Sequence, residues 1–310
     1  MRPPVGGNAE PAVVLTAHAS AVPSDATALS STVASRATDE PGHRRAGPPR
    51  GGAMTSEADA PILELSGITK SFGTVRALRG ADLTVRRNEV VALVGDNGAG
   101  KSTMIKVISG VLQPDAGRIA VDGQPVSFDS PLEPRRHGIE TVYQDLALAP
   151  DLDPAANLFL GREVLRGGLL GRLGVLDKPR MRGRAEEAFS RLGVGLQDTR
   201  SQVGTMSGGQ RQGIAVARAV LWASRLVLMD EPTAALGVVQ TGRVRALIES
   251  VREQGVSVLL VSHNLPFVFE VADRIEVLRL GRRVAVFSRA EATAEGVLGA
   301  MTGVTDMSGQ

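Results

Sequence analysis

The stretch from Val90 to Ser102 reads VVALVGDNGAGKS, and it decides the fold of this 310-residue chain. Its first five residues are all apolar, which is typical of a strand buried on both faces of a sheet. The next eight match the pattern G-x-x-x-x-G-K-[ST], and Thr103 to Ile108 continues as a helix. A buried strand, a glycine-rich loop and a helix in this order predict a loop that wraps phosphate groups.

The chemistry of this loop follows from its residue types. Glycines let backbone N–H groups curl around phosphate oxygens, and the following helix N-terminus adds partial positive charge. Lys101 is expected to reach the β- and γ-phosphates, while the Ser102 hydroxyl holds Mg²⁺. The predicted nucleotide-binding residues of the loop and its helix are Gly95, Asp96, Asn97, Gly98, Ala99, Gly100, Lys101, Ser102 and Thr103.

A pair of carboxylates follows a second apolar run, residues 225–229. In an open α/β sheet, the carboxyl end of such a strand lies beside the phosphate loop. Asp230 is therefore predicted to hold Mg²⁺, directly or through water. Glu231 is predicted to activate or orient the water that attacks the γ-phosphate. The alternative is a solvated strand end, which is common for an isolated acidic pair.

A second glycine-rich helix start occurs at Ser207-Gly208-Gly209-Gln210. Ser207 is a natural N-cap, and the two glycines expose backbone N–H groups. This helix end is a second anion-binding site in the same chain, and the residues alone do not say what it binds.

These motifs together resemble the ATP-binding cassette (ABC) ATPase family over about residues 62–288. The resemblance implies an α/β P-loop NTPase fold, with a mixed β core and an inserted helical subdomain. The matching parts occur in the family's order: Phe72, the phosphate loop Gly95 to Ser102, Gln144, the signature segment Met206 to Gln210, the run from Asp230 to Thr233, and His263.

The resemblance also implies how the second helix end is used. In this family two cassettes pair head to tail, so Ser207 and Gly209 of one copy cover the γ-phosphate that the other copy holds. ATP and Mg²⁺ are the implied cofactors, and a homodimer is the implied assembly.

Three further positions take their roles from the resemblance alone. Gln144 is implied to contact Mg²⁺ or the attacking water and to sense a membrane partner. His263 is implied to hydrogen-bond the γ-phosphate, and with Glu231 and Gln144 it completes the implied catalytic set. Phe72 is implied to stack on adenine, although an ordinary core position is the alternative for a phenylalanine.

Two positions depart from the family pattern. Met206 replaces the usual leucine before Ser207, a nearly isosteric apolar change. Gly237 stands where the family usually has an aspartate, in the loop that crosses to the partner subunit. We therefore expect ATPase activity with altered coupling between the two ATP sites.

The runs Val142 to Leu148 and Ala234 to Gly237 look like the ATPases of ribose-, xylose- and fructose-type importers. This likeness implies an integral membrane permease as partner, an extracytoplasmic sugar-binding protein as an indirect one, and a peripheral position on the cytoplasmic face of the cell membrane. A surface near residues 145–165 is expected to dock a permease helix. The alternatives are an exporter cassette and a soluble ABC protein acting on ribosomes or DNA, but the charged linker and coiled-coil insertion of the soluble types are missing.

Composition sets the remaining boundaries. Residues 1–60 are rich in Pro, Ala, Ser, Gly and Thr and are predicted to be disordered. Translation from Met54 and a signal peptide are alternatives for this leader. The ABC domain is expected over 61–290, with its helical insertion at about 145–215, and a C-terminal helix or tail over 291–310.

A net charge of +2 gives no reason to expect nucleic acid as a partner. The chain has no cysteine, which excludes disulfides and thiolate metal sites.

Alternating apolar segments predict the other strands. Short strands are expected at 62–65, 81–85, 118–121 and 139–142, and buried ones at 225–229 and 256–261. Segments 275–280 and 283–287 are expected to form a hairpin around Gly281 and Arg282. The clearest helix is expected over 180–192.

Overall fold

Two β-sheets form the centre of the molecule in a computed structural model, which describes residues 61–196, 198–234 and 236–304. The predicted leader, 1–60, lies outside the described residues, and so do residues 305–310 of the predicted tail. The strands are β1 (Pro61–Phe72), β2 (Val75–Arg86), β3 (Val90–Val94), β4 (Ala116–Val121), β5 (Gln124–Val126), β6 (Ile139–Val142), β7 (Leu226–Asp230), β8 (Ser257–Val261), β9 (Arg274–Arg279) and β10 (Arg282–Ser288).

The larger sheet has the strand order β10-β9-β3-β8-β7-β6. Its strands β9, β3, β8, β7 and β6 are parallel, whereas β10 pairs antiparallel with β9 at the edge. The smaller sheet, β2-β1-β4-β5, is antiparallel throughout. This arrangement confirms the predicted α/β fold with a mixed β core.

Both faces of the larger sheet are covered, as the apolar run of β3 predicts. All five residues of β3 are buried. Successive side chains of a strand point to opposite faces of the sheet, so the residues of β3 alternate between two hydrophobic cores. Val90, Ala92 and Val94 pack into a core shared with helices, whereas Val91 and Leu93 pack towards the smaller sheet.

Helices connect and cover these strands. They are α1 (Lys101–Ile108), α2 (Leu132–Arg136), α3 (Pro154–Phe159), α4 (Gly168–Arg172), α5 (Lys178–Arg191), α6 (Gly208–Trp222), α7 (Val238–Glu253), α8 (Leu265–Val271) and α9 (Ala294–Thr302). The predicted helix over 180–192 is therefore α5, which starts two residues earlier. Within the described part of the chain, no helix is both long enough and apolar enough to cross a bilayer.

The smaller sheet was only partly predicted. The short strands expected at 62–65 and 81–85 are parts of two twelve-residue strands, which a turn at Gly73-Thr74 joins into a hairpin. The pairing of β1 with β2 contains several register shifts. Such bulges interrupt the alternation of apolar and polar residues on which the prediction depended.

The edge hairpin also differs from its prediction by one residue. The turn between β9 and β10 consists of Leu280 and Gly281, not of Gly281 and Arg282. Both turn residues have positive φ, 47° and 79°, as the two-residue turn that fits the twist of a hairpin requires. The sequence pattern identified the glycine but not which neighbour shares the turn.

Candidate functional site

The phosphate loop joins the end of β3 to the start of α1. Gly100, the residue before α1, has φ of 108°, a conformation that side chains disfavour. A Cβ at this position would lie 2.7 Å from the carbonyl oxygen of Ala77. The tight fit of the loop against the neighbouring backbone therefore requires glycine here.

Lys101 lies over its own loop. Its side-chain Nζ donates hydrogen bonds to the carbonyl oxygens of Gly95, at 2.8 Å, and Asp96, at 3.0 Å. The residue is only 9 % exposed, and burial lowers the pKa of its amine, while Glu231, Asp96 and Asp230 oppose that shift. The ammonium group is thus held at the loop by two backbone carbonyl oxygens.

A cavity of about 510 Å³ opens beside this loop, and we refer to it as the phosphate-loop cavity. Most of the predicted site residues line it: Asn97, Gly98, Gly100, Lys101, Ser102, Thr103, Gln144, Asp230, Glu231 and His263. Gly95, Asp96 and Ala99 belong to the loop without lining the cavity. Four separate segments of the chain thus converge on one space.

The two carboxylates enter the cavity from the end of β7. Burial raises the pKa of Asp230, and the neighbouring Glu231 raises it further, while Lys101 and Lys106 oppose this. Glu231 has φ of 50°, unusual for a residue with a side chain, and its N–H donates to the carbonyl oxygen of Val261 at 2.9 Å. The parallel neighbour β8 thus holds the backbone that carries Glu231.

The start of α6 has the geometry of a capping box. Ser207 Oγ accepts from the Gln210 backbone N–H at 3.3 Å, and the Gln210 side-chain oxygen accepts from the Ser207 N–H at 3.0 Å. None of the residues Ser207, Gly208, Gly209 and Gln210 lines the phosphate-loop cavity. Gly209 and Gln210 instead line a separate cavity of about 340 Å³, next to Val194 and Arg243.

Phe72 also does not line the phosphate-loop cavity. Its ring is 48 % exposed at the end of β1, so the alternative of a core phenylalanine is wrong. Five residues that were not predicted as site residues also line the cavity: Val75, Arg76, Ala77, Ala234 and Val261. The first three begin β2, just across the turn from Phe72, and only the predicted position of Phe72 pointed to this neighbourhood.

Comparison with known proteins identifies the family. The family model described as ABC transporter matches residues 78–234, which include the phosphate loop, the signature segment and the acidic pair. The chain belongs to the ABC transporter ATPase family.

This ABC cassette has close relatives and a well-known fold. It is 49 % identical over 251 residues to the fructose import ATP-binding protein FrcA of Rhizobium meliloti, covering 80 % of this chain and 96 % of that protein. It is 44 % identical to the xylose/arabinose import ATP-binding protein XylG of Sulfolobus acidocaldarius, covering 78 % and 94 %. A dimeric ATP-binding cassette in a post-hydrolysis state with ADP and Pi superposes with a TM-score of 0.62 at 25 % identity, covering 74 % and 99 %.

Oxygen donors in the cassette's cavity suit a hard cation. The hydroxyl of Ser102, the amide of Gln144 and the carboxylate of Asp230 all line the same space. No group of three or more His, Cys, Asp and Glu side chains placed to bind a metal occurs among the described residues. Such a cage is not needed for Mg²⁺, which is usually bound by one or two carboxylates together with substrate phosphates.

Proposed function

We propose that this chain is the ATP-binding and ATP-hydrolysing subunit that energises import of a monosaccharide. The observation that carries the proposal is the 49 % identity to a fructose import ATP-binding protein, which extends over 96 % of that protein. The xylose/arabinose import relative supports the same solute class. The motor chemistry is supported separately, by the residues that line the phosphate-loop cavity.

Nucleotide binding is assigned to the phosphate loop and Phe72. Residues Gly95 to Thr103 hold the phosphates through backbone N–H groups at the start of α1. Lys101 turns from the carbonyl oxygens of Gly95 and Asp96 towards the β- and γ-phosphates, which replaces two neutral acceptors with charged ones. Phe72 presents an exposed ring for stacking on adenine.

Hydrolysis is assigned to the polar groups around that loop. Ser102, Asp230 and Gln144 supply oxygen ligands for Mg²⁺, which would neutralise charge on the β- and γ-phosphate oxygens. Glu231 accepts the proton of the attacking water or orients it. His263 lies beside Glu231 and donates a hydrogen bond to the γ-phosphate.

The signature residues are assigned to the partner copy's nucleotide. Ser207, Gly208, Gly209 and Gln210 lie outside the phosphate-loop cavity of their own chain, so they are free to cover another one. A head-to-tail homodimer places the N-terminus of α6 against the γ-phosphate in the partner's cavity. The dimeric cassette with a similar fold supports this assembly.

The partners that we propose for the cassette are an integral membrane permease and an extracytoplasmic sugar-binding protein. The cassette binds the permease on the cytoplasmic face of the membrane, through the surface near residues 145–165. The sugar-binding protein acts on it indirectly, through the permease. Gln144, which lines the cavity, directly precedes this surface in the chain, so we propose that a displacement at the docking site is transmitted to the nucleotide.

Reconstitution with the permease tests this function. The cassette and a permease that co-purifies with it are placed in liposomes, and ATP hydrolysis is measured with a panel of binding proteins loaded with fructose, ribose, xylose or arabinose. We expect one loaded protein to stimulate hydrolysis and the same protein without sugar to stimulate it less. Glu231→Gln in the same liposomes controls for contaminating ATPases.

Two results would contradict parts of the proposal. ATP hydrolysis that no loaded binding protein stimulates would contradict sugar import while leaving the ATPase assignment intact. Failure of the wild-type cassette to bind ATP would contradict the motor assignment itself.

A further inference from the structure

The loop that follows Gln144 has an unusual backbone. Leu146 and Ala147 are consecutive and have φ of 62° and 45°. This left-handed region is disfavoured for any residue with a side chain, and two such residues in a row are rarer still. Neither is glycine, so the surrounding structure must hold the loop in this conformation.

One side chain holds both of these residues. Arg218, on helix α6, donates from Nη1 to the carbonyl oxygen of Ala147 at 2.6 Å and from Nη2 to that of Leu146 at 2.8 Å. The planar guanidinium donates to the two carbonyl oxygens from two different nitrogens held in a fixed fork, a geometry that the single nitrogen of a lysine ammonium does not have. Burial and the like charge of Arg135 lower the pKa of Arg218, while Glu140 and Asp145 oppose that shift. An arginine side chain stays charged in proteins even so.

The far end of the loop is fixed as well. Asn157, on α3, is fully buried. Its side-chain oxygen accepts from the Ala149 N–H at 2.8 Å, and its amide donates to the Ala149 carbonyl oxygen at 3.0 Å. The segment between Gln144 and α3 is therefore bound to helix α6 at one point and to helix α3 at another.

Helix α6 is also the helix that presents the signature segment. Ser207 caps its N-terminus and Arg218 lies eleven residues further, about 16 Å along the axis at 1.5 Å per residue. A helix of this length moves as a rigid rod on the scale of these contacts. The loop beside one cavity and the helix end assigned to the partner's cavity are thus connected by one element.

We propose that Arg218 is a positioning residue for hydrolysis, which holds Leu146 and Ala147 in the left-handed conformation and thereby makes Gln144 and the signature helix move together. The inference rests on the proposed function, because it concerns the delivery of Gln144 to the nucleotide. Among the described residues, the hydrogen bonds of Arg218 go to the backbone of Leu146 and Ala147 and not to the phosphate loop or to Asp230 and Glu231, so it acts through the loop backbone.

The first variant tests the two-carbonyl contact. Arg218→Lys keeps the positive charge but loses the paired donors, so we expect kcat for ATP to fall by about tenfold, because misplaced catalytic groups slow chemistry more than binding. KM for ATP should stay within about twofold, since the phosphate loop is untouched. Arg191→Lys is the matched control, because Arg191 lies on α5 in an exposed ion pair with Glu187. It should retain wild-type kcat.

The second pair of variants changes the loop and leaves Arg218 in place. Ala147 is exposed, so its replacement leaves the core unchanged. Ala147→Gly accepts positive φ without cost and should keep wild-type kcat, whereas Ala147→Val resists that conformation and should lose kcat as Arg218→Lys does. In the double variant, Ala147→Gly should restore part of the activity that Arg218→Lys removes.

These outcomes separate positioning from simple stabilisation. The inference is overturned if Ala147→Val and Ala147→Gly turn over ATP equally, or if Ala147→Gly restores nothing to Arg218→Lys. If Arg218→Lys does not fold, the comparison of kcat between Ala147→Gly and Ala147→Val still tests the inference. Tm is measured for each variant to establish that it is folded. A wild-type protein that binds no ATP would contradict the proposed function. Normal turnover by the wild type, together with equal kcat values for Ala147→Val and Ala147→Gly, would contradict only this inference.

Discussion

Nδ1 of His263 lies 2.8 Å from Oε2 of Glu231, and both residues line the phosphate-loop cavity. The carboxylate is only 16 % exposed, whereas the imidazole is 69 % exposed. Oε2 is buried and accepts no well-aligned hydrogen bond from the described residues. A buried acceptor without a donor is costly, so this carboxylate is suited to take a hydrogen bond from water or ligand in the cavity.

Replacing Glu231 with glutamine should stop hydrolysis while ATP still binds. The amide cannot accept the proton of water, so we expect kcat to fall by about 10²-fold or more, the usual effect of losing a general base. The variant with ATP and Mg²⁺ should elute as a dimer in size-exclusion chromatography. Glu249→Gln, which changes an exposed carboxylate on α7, is the control. Sustained turnover by Glu231→Gln would remove this residue from the catalytic role.

Replacing Lys101 with alanine should weaken nucleotide binding severely. The charged contact to the phosphates disappears, and the carbonyl oxygens of Gly95 and Asp96 lose their donor. We expect Kd for ATP, measured by calorimetry, to rise by about 10²-fold, since hydrogen bonds between charged groups are the strong ones. Lys106→Ala, an exposed change on the same helix, should bind ATP normally. Equal affinities for the two variants would contradict the assigned role.

Ionisation of Asp230 should lower the free energy of unfolding as pH rises. A salt-bridged carboxylate has the opposite effect. Its pKa is raised in the folded state above the ordinary 3.8, so the folded protein binds this proton more tightly than the unfolded chain. The stabilising contribution of Asp230 to the free energy of unfolding is fully present below the pKa of the unfolded state. It is lost as pH rises through the pKa of the folded state. In the absence of nucleotide, the Tm of Asp230→Asn should therefore be higher than that of the wild type. This difference in Tm should grow as the pH is raised from about 4 to 7.

The same variant separates stability from function. Asp230→Asn should lose Mg²⁺-dependent hydrolysis while it gains Tm, because the charge that burial disfavours is the charge that the metal needs. A Tm difference that stays constant with pH would show that ionisation of Asp230 is not its cause.

Gly237→Asp should change coupling between the two ATP sites. Gly237 precedes α7 with ordinary φ of −77° and provides no side-chain cap, so an aspartate can cap the helix and raise stability by a few tenths of a kcal/mol. A new Cβ meets only the flexible Gln240 side chain, whose Oε1 lies 2.9 Å away. Gly237→Ala is therefore the matched control. ATPase cooperativity that is the same in wild type, Gly237→Ala and Gly237→Asp would remove this position from the mechanism.

The sequence predicted the structure well where one short segment contains everything that determines it. The strand β3, the loop glycines and the first turn of α1 lie within Val90 to Ser102, and each is dictated by local preference or by burial on both faces. It was less successful for β1 and β2, where bulges break the alternation, and it missed Val75, Arg76 and Ala77 in the cavity lining. No local pattern marks these three residues, because their role arises from where the hairpin places them.

By itself the sequence determined the family, the phosphate loop and the residue types of the proposed nucleotide site, since these depend on spacing along the chain. Only the tertiary structure decided that Arg218 holds Leu146 and Ala147, which lie 72 and 71 positions before it in the chain. It also decided that His263 lies against Glu231. Contacts of this kind depend on how helices and sheets pack together, and packing is fixed by the whole core rather than by any local run of residues.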